Sequence, residues 1–380
     1  MKQILFVIDS LGCGGAEKSL ISLLPLIDYK NYNVDLLIVS RGRVFEKYVP
    51  MQVHIVPRIT YNSFLKRVGQ ICFSLQLRLN KTIHPAEIMW KCMNKSIMPY
   101  NRVYDVAIAY QQGFPTFFVS QKVTAKKKIA WINADVYKAG YDMNWCRQFY
   151  KKMDHIILVS SLLKDKLCDK LPEFKDKYHC VYDVINPELI CSMAEDDDED
   201  LRYFDHTVYN IVTVGRLVPP KNHILAVDTA AILDKKGINF KWFFVGEGEM
   251  RKSIEKRISE NCLEEKVILL GMKENPYPFI KKADIYVQTS TFEGFGLTIA
   301  EAKILGKPII STNFDVVNNQ IKDGENGLIA HMTPNSVSAQ ILRLIKDSNL
   351  RDSLASKAGS EKNFTSITEP QKVMQLFYDN

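Results

Sequence analysis

Thr289 to Gly306 reads TSTFEGFGLTIAEAKILG. It follows the short apolar run Ile285 to Gln288 and opens a helix. Gly294 and Gly296 let the backbone come close to a ligand. The free N–H groups of the helix start, near Leu297 and Thr298, then face outward with the positive end of the helix dipole. A phosphate belongs at such a place. Glu293 and Glu301 flank the turn. Two carboxylates beside a phosphate site are at odds with its charge unless each binds hydroxyl groups instead. The alternative makes Glu293 a helix-capping acid and Glu301 a surface residue.

A second segment points to the same ligand. Thr213-Val214-Gly215-Arg216 ends an apolar run, and Lys221 follows Pro219-Pro220. Arg216 offers a planar donor fork and Lys221 a point charge, a pair suited to clamping a pyrophosphate. Taken singly, each would pass for a solvated surface cation.

Short apolar runs rich in β-formers recur between longer amphipathic stretches. In the first half they are Ile4 to Ile8, Val34 to Val39, Val106 to Ala109, Lys128 to Ile132 and His155 to Val159. In the second half they are Tyr209 to Val214, Phe240 to Val245, Val267 to Leu270, Ile285 to Gln288 and Pro308 to Ser311. Strands alternating with helices predict parallel, helix-covered sheets, and the repeated pattern predicts two such α/β units. A chain of 380 residues is also long for one core and suits two domains with a cleft.

Glu195 to Asp200, six consecutive acidic residues, lies between the two sets of strands. The boundaries expected from this are an N-terminal domain over 1–188, an acidic linker over 189–206, a C-terminal domain over 207–365, and a terminal helix over 366–380 that rejoins the first domain. Asp196-x-Asp198 within the linker matches the metal-holding pattern of another architecture of sugar transferases. A metal needs ligands fixed at a strand end, so a solvated, self-repelling linker is the preferred reading.

Composition sets the remaining bounds. Apolar residues make up 46%, charged residues 24%, and the mean hydropathy is −0.12, as in soluble globular proteins. No run approaches the length of a membrane-spanning helix, and Met1 to Ile8 reads as a first strand rather than a secretory leader. The eight cysteines contain no C-x-x-C and the seven histidines no H-E-x-x-H, so neither a zinc site nor a disulfide framework is signalled. A cytoplasmic setting is expected. The net charge of +7 is uneven: 27 Lys and Arg stand against 16 Asp and Glu up to residue 190, and 23 against 27 after it.

Such a basic half suits an anionic membrane, an anionic acceptor or nucleic acid. Lys126 to Lys128 lacks interleaved exposed aromatics or a nucleic-acid motif, so no nucleic-acid partner is expected. Residues 62–80 place Phe64, Leu65, Val68, Ile71, Cys72, Leu75 and Leu79 at helical spacing, with Lys66, Arg67 and Gln70 largely on another face. That amphipathic helix either packs on the sheet or lies on a membrane surface.

Several motifs in the second half share one order. They are Gly215-Arg216-Leu217 with Lys221, Val245-Gly246-Glu247-Gly248, Gly271 to Asn275, Ala283-Asp284-Ile285 and Ser290-x-x-Glu293-Gly294-Phe295-Gly296. Glu301-Ala302, Gly306-x-Pro308 and Asp323-Gly324-x-Asn326-Gly327 follow. Together they resemble the family-4 glycosyltransferases of GT-B fold, nearly continuously over residues 209–330, and Glu293 to Glu301 matches that family's E-x7-E motif. The resemblance implies two Rossmann-like domains facing each other across a cleft, with the C-terminal helix crossing back, and a retaining transferase that needs no cofactor or metal.

By resemblance, Arg216 and Lys221 neutralise the diphosphate leaving group, Glu293 holds the donor sugar, Glu301 binds the ribose, and Gly294, Phe295, Gly296, Leu297 and Thr298 contact the phosphates. Gly246, Glu247, Met272 and Lys273 line the nucleobase pocket. Cations beside a departing diphosphate stabilise it without a metal, which makes the assignment physically sound.

The first half resembles the family more weakly. Gly14-Gly15-Ala16-Glu17 is similar to its G-G-A-E loop, and Trp131-Ile132-Asn133-Ala134-Asp135 to a W-I-H-x-D segment, with Asn133 where His is common. Asn hydrogen-bonds but does not titrate near neutral pH, so any acid or base role falls to Asp135, whose other reading is a helix cap. Ser160-Ser161 and Asn186-Pro187 fit family positions and also fit a cap and a turn.

The implied partners are a nucleotide-sugar donor, expected to be a UDP-sugar, and a saccharide acceptor that is lipid-linked or part of a surface polysaccharide or glycolipid. The enzyme would be cytoplasmic or peripheral at the membrane, with an anionic surface meeting the basic first domain. The rival readings are a GT-B epimerase or phosphorylase and a non-catalytic sugar-nucleotide binder.

Overall fold

A computed structural model describes residues 1–12, 14–80, 82–293, 295–360 and 365–378. The chain divides into two compact units, Met1–Ile185 with Phe364–Asn380, and Asn186–Asn363.

The first unit is built on strands β1 (Lys2–Ser10), β2 (Tyr32–Ser40), β3 (His54–Ile55), β4 (Tyr100–Ala109), β5 (Val123–Ile132), β6 (His155–Leu158) and β7 (Tyr178–Cys180). Its helices are α1 (Gly15–Leu23), α2 (Ser63–Leu79), α3 (Pro85–Met93), α4 (Phe114–Lys122), α5 (Met143–Tyr150) and α6 (Ser161–Lys170). The strands pair in parallel in the order β3-β2-β1-β4-β5-β6-β7. Ile4 to Ile8 are fully buried, which is why the central strand is continuously apolar rather than alternating.

The second unit holds β8 (Tyr209–Val214), β9 (Phe240–Val245), β10 (Val267–Gly271), β11 (Ile285–Gln288), β12 (Ile309–Thr312) and β13 (Leu328–Ala330). Its helices are α7 (Pro187–Met193), α8 (His223–Lys235), α9 (Arg251–Glu260), α10 (Tyr277–Lys282), α11 (Leu297–Ile304), α12 (Pro334–Lys346) and α13 (Ser348–Ser360). Its strands are also parallel, in the order β10-β9-β8-β11-β12-β13. One core joins Ile211, Trp242, Phe244, Ile285 and Val287 of the sheet to Ala226 and Ala230 of α8 and to Ile341 and Leu344 of α12. Each unit is thus a Rossmann-like α/β layer structure, as the repeated strand pattern predicts.

The final helix, α14 (Thr365–Tyr378), belongs to the first unit. Val373, Leu376 and Phe377 are buried, and the Phe377 ring meets Tyr32 edge-on at 5.4 Å. Lys2 and Lys127 donate to the last-turn carbonyls of Phe377 (2.9 Å) and Leu376 (3.1 Å), which have no partner within the helix.

The stretch 189–206, expected as an acidic linker of self-repelling chain, is folded onto the second unit. α7 covers its start and a 3₁₀ turn spans Glu199–Tyr203. Lys273 meets Asp198 at 2.8 Å and Asp200 at 2.7 Å, Lys281 pairs with Glu195, and the Asn275 amide donates to Asp196 at 3.0 Å. Two lysines distant in sequence pair with three of its six carboxylates, which spacing alone does not reveal. Asn186 accepts from the N–H groups of Glu188 and Leu189, and Ser160 from that of Leu163, so both act as helix caps.

Candidate functional site

In an open parallel sheet, ligands bind beyond the carboxyl ends of the strands where the strand order reverses. In the second unit that point lies between β8 and β11. Gly215, Arg216 and Lys221 follow β8; Glu293 and the start of α11 follow β11. The two loops are tied together: Thr291 N–H donates to the Pro220 carbonyl at 2.8 Å, and the Thr289 hydroxyl to the Lys221 carbonyl at 3.0 Å.

Lys221 and Glu293 meet directly, Nζ to Oε1 at 2.5 Å. The same oxygen accepts from Gln288 Nε2 and from Ser290 Oγ, each at 2.6 Å. Glu293 is therefore an oriented carboxylate rather than a helix cap, and the N-cap of α11, Gly296 in the left-handed region (φ 86°), carries no side-chain cap. The amide edge near Leu297 and Thr298 is left for an anion. Gln288 passes the order on: its Oε1 accepts from Tyr286 Oη (2.8 Å) and Thr298 Oγ1 (3.2 Å). Burial, with the charges of Glu301 and Glu293 nearby, keeps the Tyr286 hydroxyl far above its ordinary pKa, a neutral donor.

Glu301 is buried on α11, not on the surface, and accepts from the Tyr277 hydroxyl of α10 at 3.0 Å. Arg216 is exposed and has no ion-pair partner among the described residues. Phe295 gives its carbonyl to Gln320 Nε2 at 3.3 Å. Gly294 lies outside the described residues.

Beside this centre sit the loops after β9 and β10. A Cβ on Gly246 would stand 2.0 Å from the Gly215 carbonyl oxygen, so only glycine permits this approach to the β8 loop. Glu247 receives the Leu217 N–H on its carbonyl (2.9 Å) and pairs its side chain with Arg251. Met272 is exposed, whereas the Lys273 ammonium is committed to Asp198 and Asp200, so the backbone of residue 273 is what remains to face a ligand.

His223, at the start of α8 next to Lys221, is a residue that sequence reasoning passed over. It is buried against Phe244, neither ring nitrogen has a partner among the described residues, and burial with the Lys221 charge drives its pKa down to about 4. A neutral ring there adds no charge to the cationic loop. Gln288 was also missed, although a lone polar residue closing the apolar strand Ile285–Gln288 was a usable signal. Tyr277 and Tyr286 had none.

In the first unit the strand order reverses between β1 and β4. Gly14 and Gly15 open α1 there, and the Glu17 carboxylate folds back over Gly14, where a Cβ would lie 2.2 Å from its oxygen. Burial raises the Glu17 pKa; burial and the charge of Glu17 push Asp9 up to about 7. The Asn133 amide is enclosed, with neither its nitrogen nor its oxygen partnered among the described residues.

Asp135 precedes a turn over residues 136–140 and not a helix; the next helix, α5, starts at Met143 with Asp142 as its cap. Asp135 accepts from the N–H groups of Tyr137 and Lys138, each at 3.1 Å, and pairs with Lys166. Burial opposes its ionisation, but these partners prevail and hold the carboxyl below its ordinary range, the wrong direction for an acid at neutral pH. Among the described residues no group of three or more His, Cys, Asp or Glu could hold a metal ion.

The two Rossmann-like units have the GT-B fold, and similarity to named glycosyltransferases supports a glycosyltransferase enzyme. Residues 198–360 match the family model for glycosyl transferases group 1. Over 376 residues, 94% of each chain, the protein is 26% identical to the N-acetylgalactosamine-N,N'-diacetylbacillosaminyl-diphospho-undecaprenol 4-alpha-N-acetylgalactosaminyltransferase of Campylobacter jejuni. It is 30% identical to an uncharacterised glycosyltransferase of Methanocaldococcus jannaschii, a match that spans only 55% of either chain. Among solved structures, Anabaena HepE in complex with UDP and glucose superposes with a TM-score of 0.72 over all of both chains at 18% identity, a likeness of fold.

Proposed function

We propose that the protein transfers a sugar, with retention of anomeric configuration, from a UDP-sugar to a saccharide acceptor carried on a lipid or a growing surface polysaccharide. The observation that carries the reading is the Lys221–Glu293 contact beside the uncapped start of α11 at the strand-order reversal. A cation and a helix mouth suit the diphosphate, and an oriented carboxylate suits a sugar hydroxyl. Arg216 adds a second cation as negative charge builds on the leaving group. Glu301, buried on the same helix, suits the ribose hydroxyls.

Support for the donor class comes from HepE, solved with UDP and glucose, and for the acceptor class from the Campylobacter relative, whose named substrate is a diphospho-undecaprenol saccharide. The departing phosphate serves as base, since Asp135 is engaged elsewhere; this step rests on analogy of fold. In this reading the enzyme needs no metal and works in the cytoplasm at the inner membrane face, its basic first unit toward anionic lipid.

A panel of UDP-, GDP- and ADP-sugars tests the proposal by thermal stabilisation and by slow donor hydrolysis. Selective stabilisation by a UDP-sugar, with release of UDP, is expected. Binding without release would make the protein a non-catalytic binder, and NMR of the product's anomeric proton decides retention.

A further inference from the structure

The helix α2 turns its apolar side outward. Phe64, Val68, Ile71, Leu75 and Leu79 fall within one stripe at 100° per residue, and their exposures run from 51% to 77%. A surface helix ordinarily buries that stripe, and a contiguous exposed apolar patch marks an interaction or membrane site.

The exposure is not that of a loose helix. Asn62 caps its start, accepting from the Leu65 N–H at 3.1 Å. On the far side Gly69 is buried where a Cβ would lie 2.8 Å from the Cys92 carbonyl oxygen, so the α2 backbone rests directly on α3. Cys72 and Cys92 bring their sulfurs within 2.9 Å across the same contact, and the Lys66 ammonium covers the Tyr61 ring at 4.7 Å.

Charge selects the occupant. From Arg58 to Lys81 the chain holds five Lys and Arg and no acidic residue. Arg67 and Arg78 are eleven residues apart, about three turns, and project along one edge of the stripe. A second copy packing stripe to stripe about a two-fold axis would set these cations against their own kind. An anionic bilayer satisfies both features, with the stripe sunk among acyl chains and the guanidinium groups at the headgroup phosphates. No described helix is long and apolar enough to cross a membrane.

We propose that α2 is the membrane-docking element of this protein, lying in the plane of an anionic bilayer with Phe64, Val68, Ile71, Leu75 and Leu79 inserted and Arg67 and Arg78 at the headgroups. The inference rests on the reading that the acceptor is carried on lipid, and it names the surface that brings the enzyme to it.

Co-sedimentation of the full chain with vesicles tests it, using phosphatidylcholine alone and an equal mixture with phosphatidylglycerol. The wild type is expected to bind the mixed vesicles and to bind phosphatidylcholine far less. The double variant Arg67→Gln/Arg78→Gln loses on the order of thirtyfold in partitioning for two cations near an anionic surface. Ile71→Ser/Leu75→Ser loses roughly tenfold or more. Stabilisation by UDP serves as the folding control and stays at the wild-type level in both.

Wild type that stays in the supernatant with both vesicle types, or variants that bind as it does, would overturn the proposal. So would a wild-type dimer that the serine variant dissolves without any vesicle binding, which would make the stripe a contact between copies. Donor hydrolysis separates this from the transferase reading: intact hydrolysis without vesicle binding removes the docking role alone, and absent hydrolysis with vesicle binding removes the transferase alone.

Discussion

Replacing Lys221 by methionine removes the ammonium group while keeping an apolar stem against Gly215, next to which the lysine chain packs. At about 4 Å from a phosphate oxygen and an effective dielectric near 20, the lost attraction is about 4 kcal/mol. The side chain is 20% exposed, so solvent screens part of this and leaves about 2 to 3 kcal/mol. That corresponds to a fall of roughly 30- to 150-fold in kcat/KM. Glu293 keeps its hydrogen bonds from Gln288 and Ser290, so the fold loses only about 1 to 2 kcal/mol. A coupled assay of nucleoside diphosphate release and a thermal melt of the same preparation measure both quantities. Turnover within threefold of wild type, in a variant that melts near the wild-type temperature, would refute the assignment of Lys221 to the leaving group.

Glu293→Gln preserves the size of the side chain but removes the charge that Lys221 and a sugar hydroxyl share; kcat is expected to fall about a hundredfold, as for loss of one positioned polar group, and rates near wild type would show that Glu293 only supports the loop. Asp183 tests electrostatics in the first unit: it is buried, its Oδ1 has no partner among the described residues, and burial pushes its pKa up to about 7. A raised carboxyl pKa means that the native state favours the protonated form, so its stabilising contribution is complete below about pH 4 and lost as pH rises through about 7. Asp183→Asn should therefore be more stable than wild type at pH 8, by on the order of 4 kcal/mol at most, with the gap closing toward pH 4; equal denaturant midpoints at both pH values would show the carboxyl to be unstrained. With two cations and a helix mouth on the diphosphate, excess EDTA should leave donor turnover unchanged, and activity that vanishes with EDTA and returns with magnesium would contradict that expectation.

How far the sequence can be read depends on how local the cause of each feature is. Continuous apolar runs such as Ile4 to Ile8 and Tyr209 to Val214 belong to strands covered on both faces, so two parallel units were legible from pattern alone. The short strands β3, β7 and β13 were not, because two or three residues carry no periodicity. Glu293 and Lys221 could each be singled out by motif, but not their 2.5 Å contact across 72 positions. The acidic run from Glu195 to Asp200 looked self-repelling because its counterions, Lys273 and Lys281, arrive from a different loop and helix. Asp135 allowed two readings, and neither foresaw its partner Lys166, which arrives from a helix 31 positions further on. For α2 the spacing gave the stripe but not the direction it faces, since that depends on where Gly69 lets α3 approach.

The structure of the protein with UDP bound tests the central claim most directly. The account predicts both phosphates at the start of α11, within hydrogen-bonding distance of the Leu297 or Thr298 N–H, with the Lys221 ammonium and the Arg216 guanidinium on their oxygens. A diphosphate held elsewhere, with Lys221 still facing only Glu293, would contradict it.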